Sequence, residues 1–288
     1  MKNVMFFGGA SMLSFIWANY WSKDYNIYLG LNKRWIEIPG TQSILLPDNH
    51  EELKTILKKK QIDLLINCAG LSNVEECENN IELSYELNSL LPGNLSKITN
   101  ELKVKFIHIS TDHLYSDTNK MYTEITKVHP LNTYAKSKHD GEQRVLKNNK
   151  NALIIRTNFF GKGPSYKPSF SDSIISSLRR KKTIYLFNNV YYTPIHVYEM
   201  AKKIKDLLNI KASGIYNICS NERITKYEFG KMLAKKLNLP SDLIIPIKIE
   251  EKKNLVLRPK DMSLSNNKLK NDTNSLVNSI LIQLNYLI

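Results

Sequence analysis

The sequence predicts a doubly wound α/β fold, built on a parallel sheet and followed by a smaller mixed α/β region. Three observations carry that prediction. Short runs rich in β-formers alternate with helical stretches through residues 3–157, the pattern of consecutive βα units. The run IDLLINC (62–68) is almost continuously apolar, as in a strand covered on both faces. Residues suited to chemistry gather where strands end, at 8–11, 32–34, 69–70 and 110–112, the edge at which such sheets hold ligands.

The elements follow in order. Residues 3–7 form a first strand, Gly8, Gly9, Ala10 and Ser11 a turn, and 12–20 a buried helix. NIYLGL (26–31) is the second strand and 43–46 a short third. A helix over 51–60 leads to the strand at 62–68. Residues 74–101 are mostly helical, with a break expected at Pro92-Gly93, since both residues interrupt helices. A strand at 104–109, a helix opened by Pro130 and running over 131–147, and a strand at 152–157 complete the alternation. Beyond it the regularity weakens. A loop at 161–165 precedes a helix (170–180), a strand (183–187), an extended stretch (191–194), a helix (197–208) and a strand (215–218). Thr225 is the N-cap of a helix reaching 237, and Glu228 completes a capping box. Pro246 confines the run 244–249 to a sheet edge, and the Asn-rich then apolar stretch from 271 ends in a short docked helix. The expected division is one domain over 1–160 and a second over 161–288, with some segments of the second returning to the first sheet.

Composition narrows the function classes. Among 288 residues, 41 are basic and 27 acidic, a formal net charge of +14. The lysines are scattered, the densest runs (58–60 and 179–182) span single turns, and no Arg-rich tract is interleaved with aromatics. The charge therefore points to an anionic small molecule, not to nucleic acid or a membrane surface. Cys68, Cys77 and Cys219 are odd in number and form no C-x-x-C, which fits a reduced, cytoplasmic setting with Cys68 as a core residue. The apolar start is interrupted by paired glycines and lacks a small-residue cleavage site, so it reads as strand, turn and helix, neither signal peptide nor membrane span. No metal site is expected.

The central motif is FIHISTDHLYSD (106–117) followed by HPLNTYAKSKHDGEQ (129–143). A strand ends on Ser110, Thr111 and Asp112, and the following helix carries Tyr134 and Lys138 four positions apart, hence on one face. An ammonium beside a phenol favours the phenolate and lowers its pKa from about 10. A strand-end hydroxyl facing that pair would complete a set of proton donor, tuner and oxyanion ligand. At the first strand the spacing Gly8-x-x-Ser11-x-x-Ser14 has serine at two of the three positions of a glycine-rich phosphate turn. After the second strand, Asn32, Lys33 and Arg34 offer two cations and no acid, which favours the 2′-phosphate of NADP(H), with NAD(H) possible.

Together these segments resemble the extended short-chain dehydrogenases/reductases, and within them the dTDP-4-dehydrorhamnose reductase branch. The similarity runs through INCAGLSNVEECENN (66–80), ELNSLLPGNL (86–95), HISTDHLYSD (108–117), PLNTYAKSKHDGE (130–142), IIRTNFFGKG (154–163) and RPKDMSL (258–264), covering most of the chain in the family's order. The resemblance implies a Rossmann-type NAD(P)-binding domain, a smaller substrate domain, and reduction of a 4-keto-6-deoxy sugar nucleotide by a monomer or homodimer. Thr111 then binds the keto oxygen, Tyr134 donates the proton, and Lys138 holds the nicotinamide ribose. Gly8, Ser11, Met12 and Leu13 occupy the pyrophosphate turn; Cys68, Ala69 and Gly70 pass under the adenosine; Asn88 lies near the cofactor. Asp112, Phe159, Phe160 and Arg258 fall on the side of the nucleotide-diphosphate sugar. The chain departs from the family at Leu71, where an aromatic is expected, and at Phe159, where a tryptophan is. Some relatives are non-catalytic subunits that bind a partner enzyme.

Overall fold

The computed structural model describes residues 1–116 and 119–288; Asp117, which ends the HISTDHLYSD segment, lies outside them. Two compact units emerge. The first comprises Met1–Ser110, Asn132–Ile155 and Lys211–Ile215, and the second Thr111–Leu131, Arg156–Ile210 and Tyr216–Ile288. The chain passes between them several times.

The first unit begins with β1 (Asn3–Phe7), α1 (Met12–Trp21), β2 (Asn26–Leu31), β3 (Thr41–Leu45), α2 (His50–Lys59) and β4 (Leu64–Asn67). Strand β4 is shorter than the apolar run: the Ile62 N–H still bonds back to the Leu57 carbonyl at 3.0 Å, and the Cys68 N–H makes a last bond to the Phe7 carbonyl of β1 at 2.9 Å. Helix α1 is fixed by its aromatic face: Trp17 and Trp21 stack at 6.0 Å and both pack on Phe6 of β1. Helices α3 (Val74–Asn79), α4 (Ile81–Tyr85) and α5 (Leu91–Glu101) follow, with a π-helical turn, Glu86–Leu90, between the last two. The break expected at Pro92-Gly93 is absent. Pro92 sits in the first turn of α5, where its missing N–H is not needed, and a Cβ on Gly93 would stand 3.0 Å from Arg144 Cβ. The interruptions are instead at Asn80, whose side chain accepts from the Leu83 N–H at 3.1 Å, and at the π turn.

Strand β5 (Lys105–Ile109) leads to the second unit, and the chain returns for α6 (Thr133–Asn148) and β6 (Leu153–Arg156). Helix α6 starts three residues after Pro130, because the Asn132 side chain caps it, accepting from the Ala135 N–H at 2.9 Å. The rest of the chain adds β7 (Phe159–Phe160), α7 (Phe170–Arg179), β8 (Ile184–Phe187), β9 (Tyr191–Tyr192), β10 (Ile195–His196), α8 (Val197–Asn209) and β11 (Gly214–Asn217). It ends with β12 (Ile224–Thr225), α9 (Lys226–Lys236), β13 (Ile244–Ile247), α10 (Asn267–Thr273) and α11 (Ile280–Gln283). The large sheet has the order β11-β6-β5-β4-β1-β2-β3, and the register places every pair from β3 through β6 parallel. The order reverses direction at β1, the topological switch point of a doubly wound sheet. Met5, Leu65, Phe106 and Ile154 from four adjacent strands share one buried cluster with Leu53, Leu57, Leu95 and Val145 of the covering helices.

The second unit has its own core of Phe160, Ile174, Leu178, Tyr192, Phe229, Leu233, Ile280 and Leu284. The Thr225–Glu228 capping box forms as expected, and Pro246 lies in a two-stranded sheet where both strands are edges. Among the described residues no helix is long and apolar enough to cross a membrane, and Cys68, Cys77 and Cys219 are free thiols.

Candidate active site

In the first unit the chemistry-bearing residues converge on the carboxyl ends of β1, β4 and β5. Gly8 has φ +82°, and a Cβ on it would meet the Ala69 backbone nitrogen at 2.8 Å, so only glycine fits between the two strand ends. The serines that replace the other two glycines complete the turn by hydrogen bonding. Ser11 caps α1 by accepting from the Ser14 N–H, its hydroxyl donates to Ser14 Oγ at 2.9 Å, and Ser14 Oγ donates to the Gly8 carbonyl at 3.0 Å. Met12 and Leu13 are the first two residues of α1, where backbone N–H groups point out of the helix end. Cys68 lies beside these serines, and burial pushes its thiol up to about 12, so it stays protonated at neutral pH. Asn32, Lys33 and Arg34 are all exposed after β2, and the acid nearest in sequence, Glu37, accepts from the Trp35 indole N–H at 3.2 Å.

The π turn positions Asn88. Its Oδ1 accepts from the Leu71 N–H at 2.9 Å, while its Nδ2 donates to the Leu71 carbonyl at 2.9 Å and to Ser137 Oγ at 3.2 Å. One buried amide thus clamps the loop after Gly70 and ties it to α6. Gly70 itself has φ +156°, with Asn88 Oδ1 only 2.8 Å from where a Cβ would stand. Gly141 of α6 lies against the same turn: a Cβ there would fall 2.1 Å from the Asn88 carbonyl oxygen. Single π turns of this kind often mark functional sites.

Tyr134 is half-buried on α6, and Lys138, one turn on, is buried. The Lys138 ammonium donates to the Ile109 carbonyl, the last of β5, at 2.6 Å. Burial lowers its pKa to about 8, partly opposed by the Glu142 carboxylate. Glu142, fully buried, accepts from Ser110 Oγ at 2.5 Å, which joins α6 to the end of β5. The strand's His108 is buried too, held by Asn67 at 3.2 Å, and desolvation keeps it neutral by lowering its pKa well below the usual range.

The remaining predicted residues belong to the second unit. Thr111 is buried, and its Oγ1 accepts from the His113 N–H at 3.2 Å. Asp112 is buried beside it and accepts from Asn158 Nδ2 at 2.9 Å. Desolvation raises the Asp112 pKa, against the opposing pull of the Lys226 ammonium. Lys226 sits 3.4 Å above the centre of the Tyr192 ring. Arg258 is half-buried; burial lowers the His113 pKa to about 3, and the charges of Lys226 and Arg258 add to it, so His113 is neutral. Phe159 is half-buried, whereas Phe160 is a core residue, edge-on to Phe229 at 5.0 Å and to His196 at 5.2 Å. Packing accounts for Phe160, leaving Phe159 as the one with surface to offer a ligand. Asn158, Tyr192 and Lys226 escaped the sequence reading. They reach Asp112 only through tertiary structure, and no local spacing marks them.

Residues 4–279 match the family model described as RmlD substrate binding domain. The chain belongs to this family. A curated relative is the probable low-salt glycan biosynthesis reductase Agl14 of Haloferax volcanii, 30% identical over 198 residues, 67% of this chain and 66% of that protein. Another is methionine adenosyltransferase 2 subunit beta of Xenopus laevis, 29% identical over 68% of this chain and 60% of its own length. The chain thus spans 60–66% of the length of these relatives. Its fold matches that of dTDP-4-dehydrorhamnose reductase from Bacillus anthracis, solved in complex with NADP, at a TM-score of 0.88 and 22% identity over 99% of this chain and 98% of that one. The RmlD family assignment and this structural likeness agree with the sequence resemblance to an extended reductase.

Proposed function

We propose that the protein is a nicotinamide-dependent reductase of a nucleotide-activated 4-keto-6-deoxy sugar, with NADPH preferred over NADH. The observation that carries this reading is Lys138: a buried ammonium at the end of β5, one helical turn from Tyr134. A solvated helix face would leave that lysine in water. Family membership and the reductase named among the relatives point the same way.

The first unit fits a dinucleotide. The Gly8 turn admits close backbone approach, α1 presents its N-terminal amides, and Lys33 and Arg34 put two exposed cations after β2, where a 2′-phosphate would bind. Gly8, Ser11, Met12 and Leu13 would hold the pyrophosphate, with Cys68, Ala69 and Gly70 along the adenosine and Asn88 securing the neighbouring loop. When bound, the reduced nicotinamide supplies hydride to the sugar's C4. Tyr134 gives its phenolic proton to the oxygen left on that carbon. Lys138, while charged, stabilises the phenolate that results and binds the ribose. Thr111 hydrogen-bonds the same oxygen as its charge develops, with Asp112, Phe159 and Arg258 contacting the nucleotide-diphosphate sugar.

A second reading, a non-catalytic subunit, draws on the methionine adenosyltransferase 2 subunit beta relative and on the serine-filled cofactor turn. A panel of 4-keto sugar nucleotides, followed by loss of NADPH absorbance, separates the two. The reductase reading expects at least one substrate to be consumed stoichiometrically with NADPH. Binding of cofactor with no oxidation across the panel would favour the subunit.

A further inference from the structure

Tyr192 carries a buried contradiction. Its side chain is 2% exposed, yet its hydroxyl has no hydrogen-bond partner among the described residues. A buried hydroxyl without a partner is destabilising, so most are paired. The ring explains part of the residue: it packs edge-on to Phe229 and lies under the Lys226 ammonium at 3.4 Å. Phenylalanine would make both contacts. The hydroxyl adds nothing to that packing; burial, with the Asp112 carboxylate adding to it, holds its ionisation well above the usual phenol range.

The surroundings are equally polar. Asp112 is held by Asn158 and directly follows Thr111; Lys226 provides the charge that opposes it. These groups offer a hydroxyl that can donate or accept, a carboxylate that accepts, and an ammonium that donates. Such a mixed set suits neither a phosphate, which the carboxylate would repel, nor an apolar ring. It suits vicinal hydroxyls, each a donor and an acceptor.

We propose that Tyr192, Lys226 and Asp112 form a hydroxyl-reading subsite that binds the sugar of the substrate and sets which sugar is accepted. This deepens the reductase reading and rests on it. The subsite discriminates by pairing: a sugar with a hydroxyl in register satisfies Tyr192, and one lacking it leaves the Tyr192 hydroxyl without a partner.

Tyr192→Phe is the decisive variant, because the two roles of the hydroxyl predict opposite effects. The expected result is a melting temperature equal to or above that of the unmodified protein, unchanged NADPH binding by calorimetry, and a roughly 5- to 10-fold rise in KM for whichever 4-keto sugar nucleotide of the panel the unmodified protein reduces. Affinity for the same substrate's nucleoside diphosphate alone, which lacks the sugar, stays the same. An unchanged KM in the variant, with the unmodified protein turning over, overturns the subsite and leaves the reductase intact. If the unmodified protein neither binds nor reduces any 4-keto sugar nucleotide, the reductase reading fails and takes the subsite with it.

Discussion

Lys138 is the residue on which the proposed chemistry turns, and its environment gives it a pH signature. Burial lowers its pKa to about 8, from an ordinary value of 10.5. Below pH 8 the ammonium is charged in both folded and unfolded chains, and the folded state bears the full desolvation cost. Between about 8 and 10.5 the folded chain has released a proton that the unfolded chain still holds, so this residue's contribution to stability rises with pH over that window. Activity should move the other way. Once neutral, Lys138 no longer favours the Tyr134 phenolate, so kcat/KM should fall above about pH 8 in a pH–rate profile. Lys138→Met should lose most of the turnover and the alkaline step together. A variant that kept both would remove Lys138 from the mechanism. The placing of Tyr134 and Lys138 one turn apart on one helix was legible in the sequence because that spacing is local. Lys226 and Tyr192 were not, since they lie 114 and 80 residues from Asp112 and meet it only through folding.

At the scale of elements, the π turn and α6 act as one piece. Asn88 grips both ends of the Leu71 peptide and reaches Ser137, while Gly141 lets α6 close on the turn. In a free helix Gly→Ala stabilises by about 1 kcal/mol. Here the methyl would fall 2.1 Å from the Asn88 carbonyl, so Gly141→Ala should destabilise instead, by roughly 1–3 kcal/mol, as overpacked sites do. Urea denaturation measures this, and a gain in stability would show that the turn can yield. The alternation of strands and helices was readable from the sequence, because each element's apolar pattern is local. So was the Thr225–Glu228 box, whose two members are three residues apart. The π turn was not readable. Pro92 and Gly93 suggested a break, yet proline is harmless in a first turn and this glycine answers to Arg144 on another helix. Only tertiary packing distinguishes those cases from a true interruption.

For the whole molecule, the charge of +14 fits a protein whose proposed ligands, a dinucleotide phosphate and a nucleotide-diphosphate sugar, are all anionic. The chain's relatives include a probable reductase and a subunit of a methionine adenosyltransferase, so similarity by itself does not decide between turnover and binding. The residues divide the question. In the proposed mechanism the Gly8 turn, with its two serines, holds the cofactor, and Tyr134 donates the proton. A calorimetric titration of NADPH, run in parallel with turnover on the unmodified protein and on Tyr134→Phe, addresses both at once. The account predicts equal NADPH affinity in the two proteins and a loss of turnover on the order of 10²–10⁴-fold in the variant. If the unmodified protein binds neither NADPH nor NADH, the reductase account is contradicted at its root.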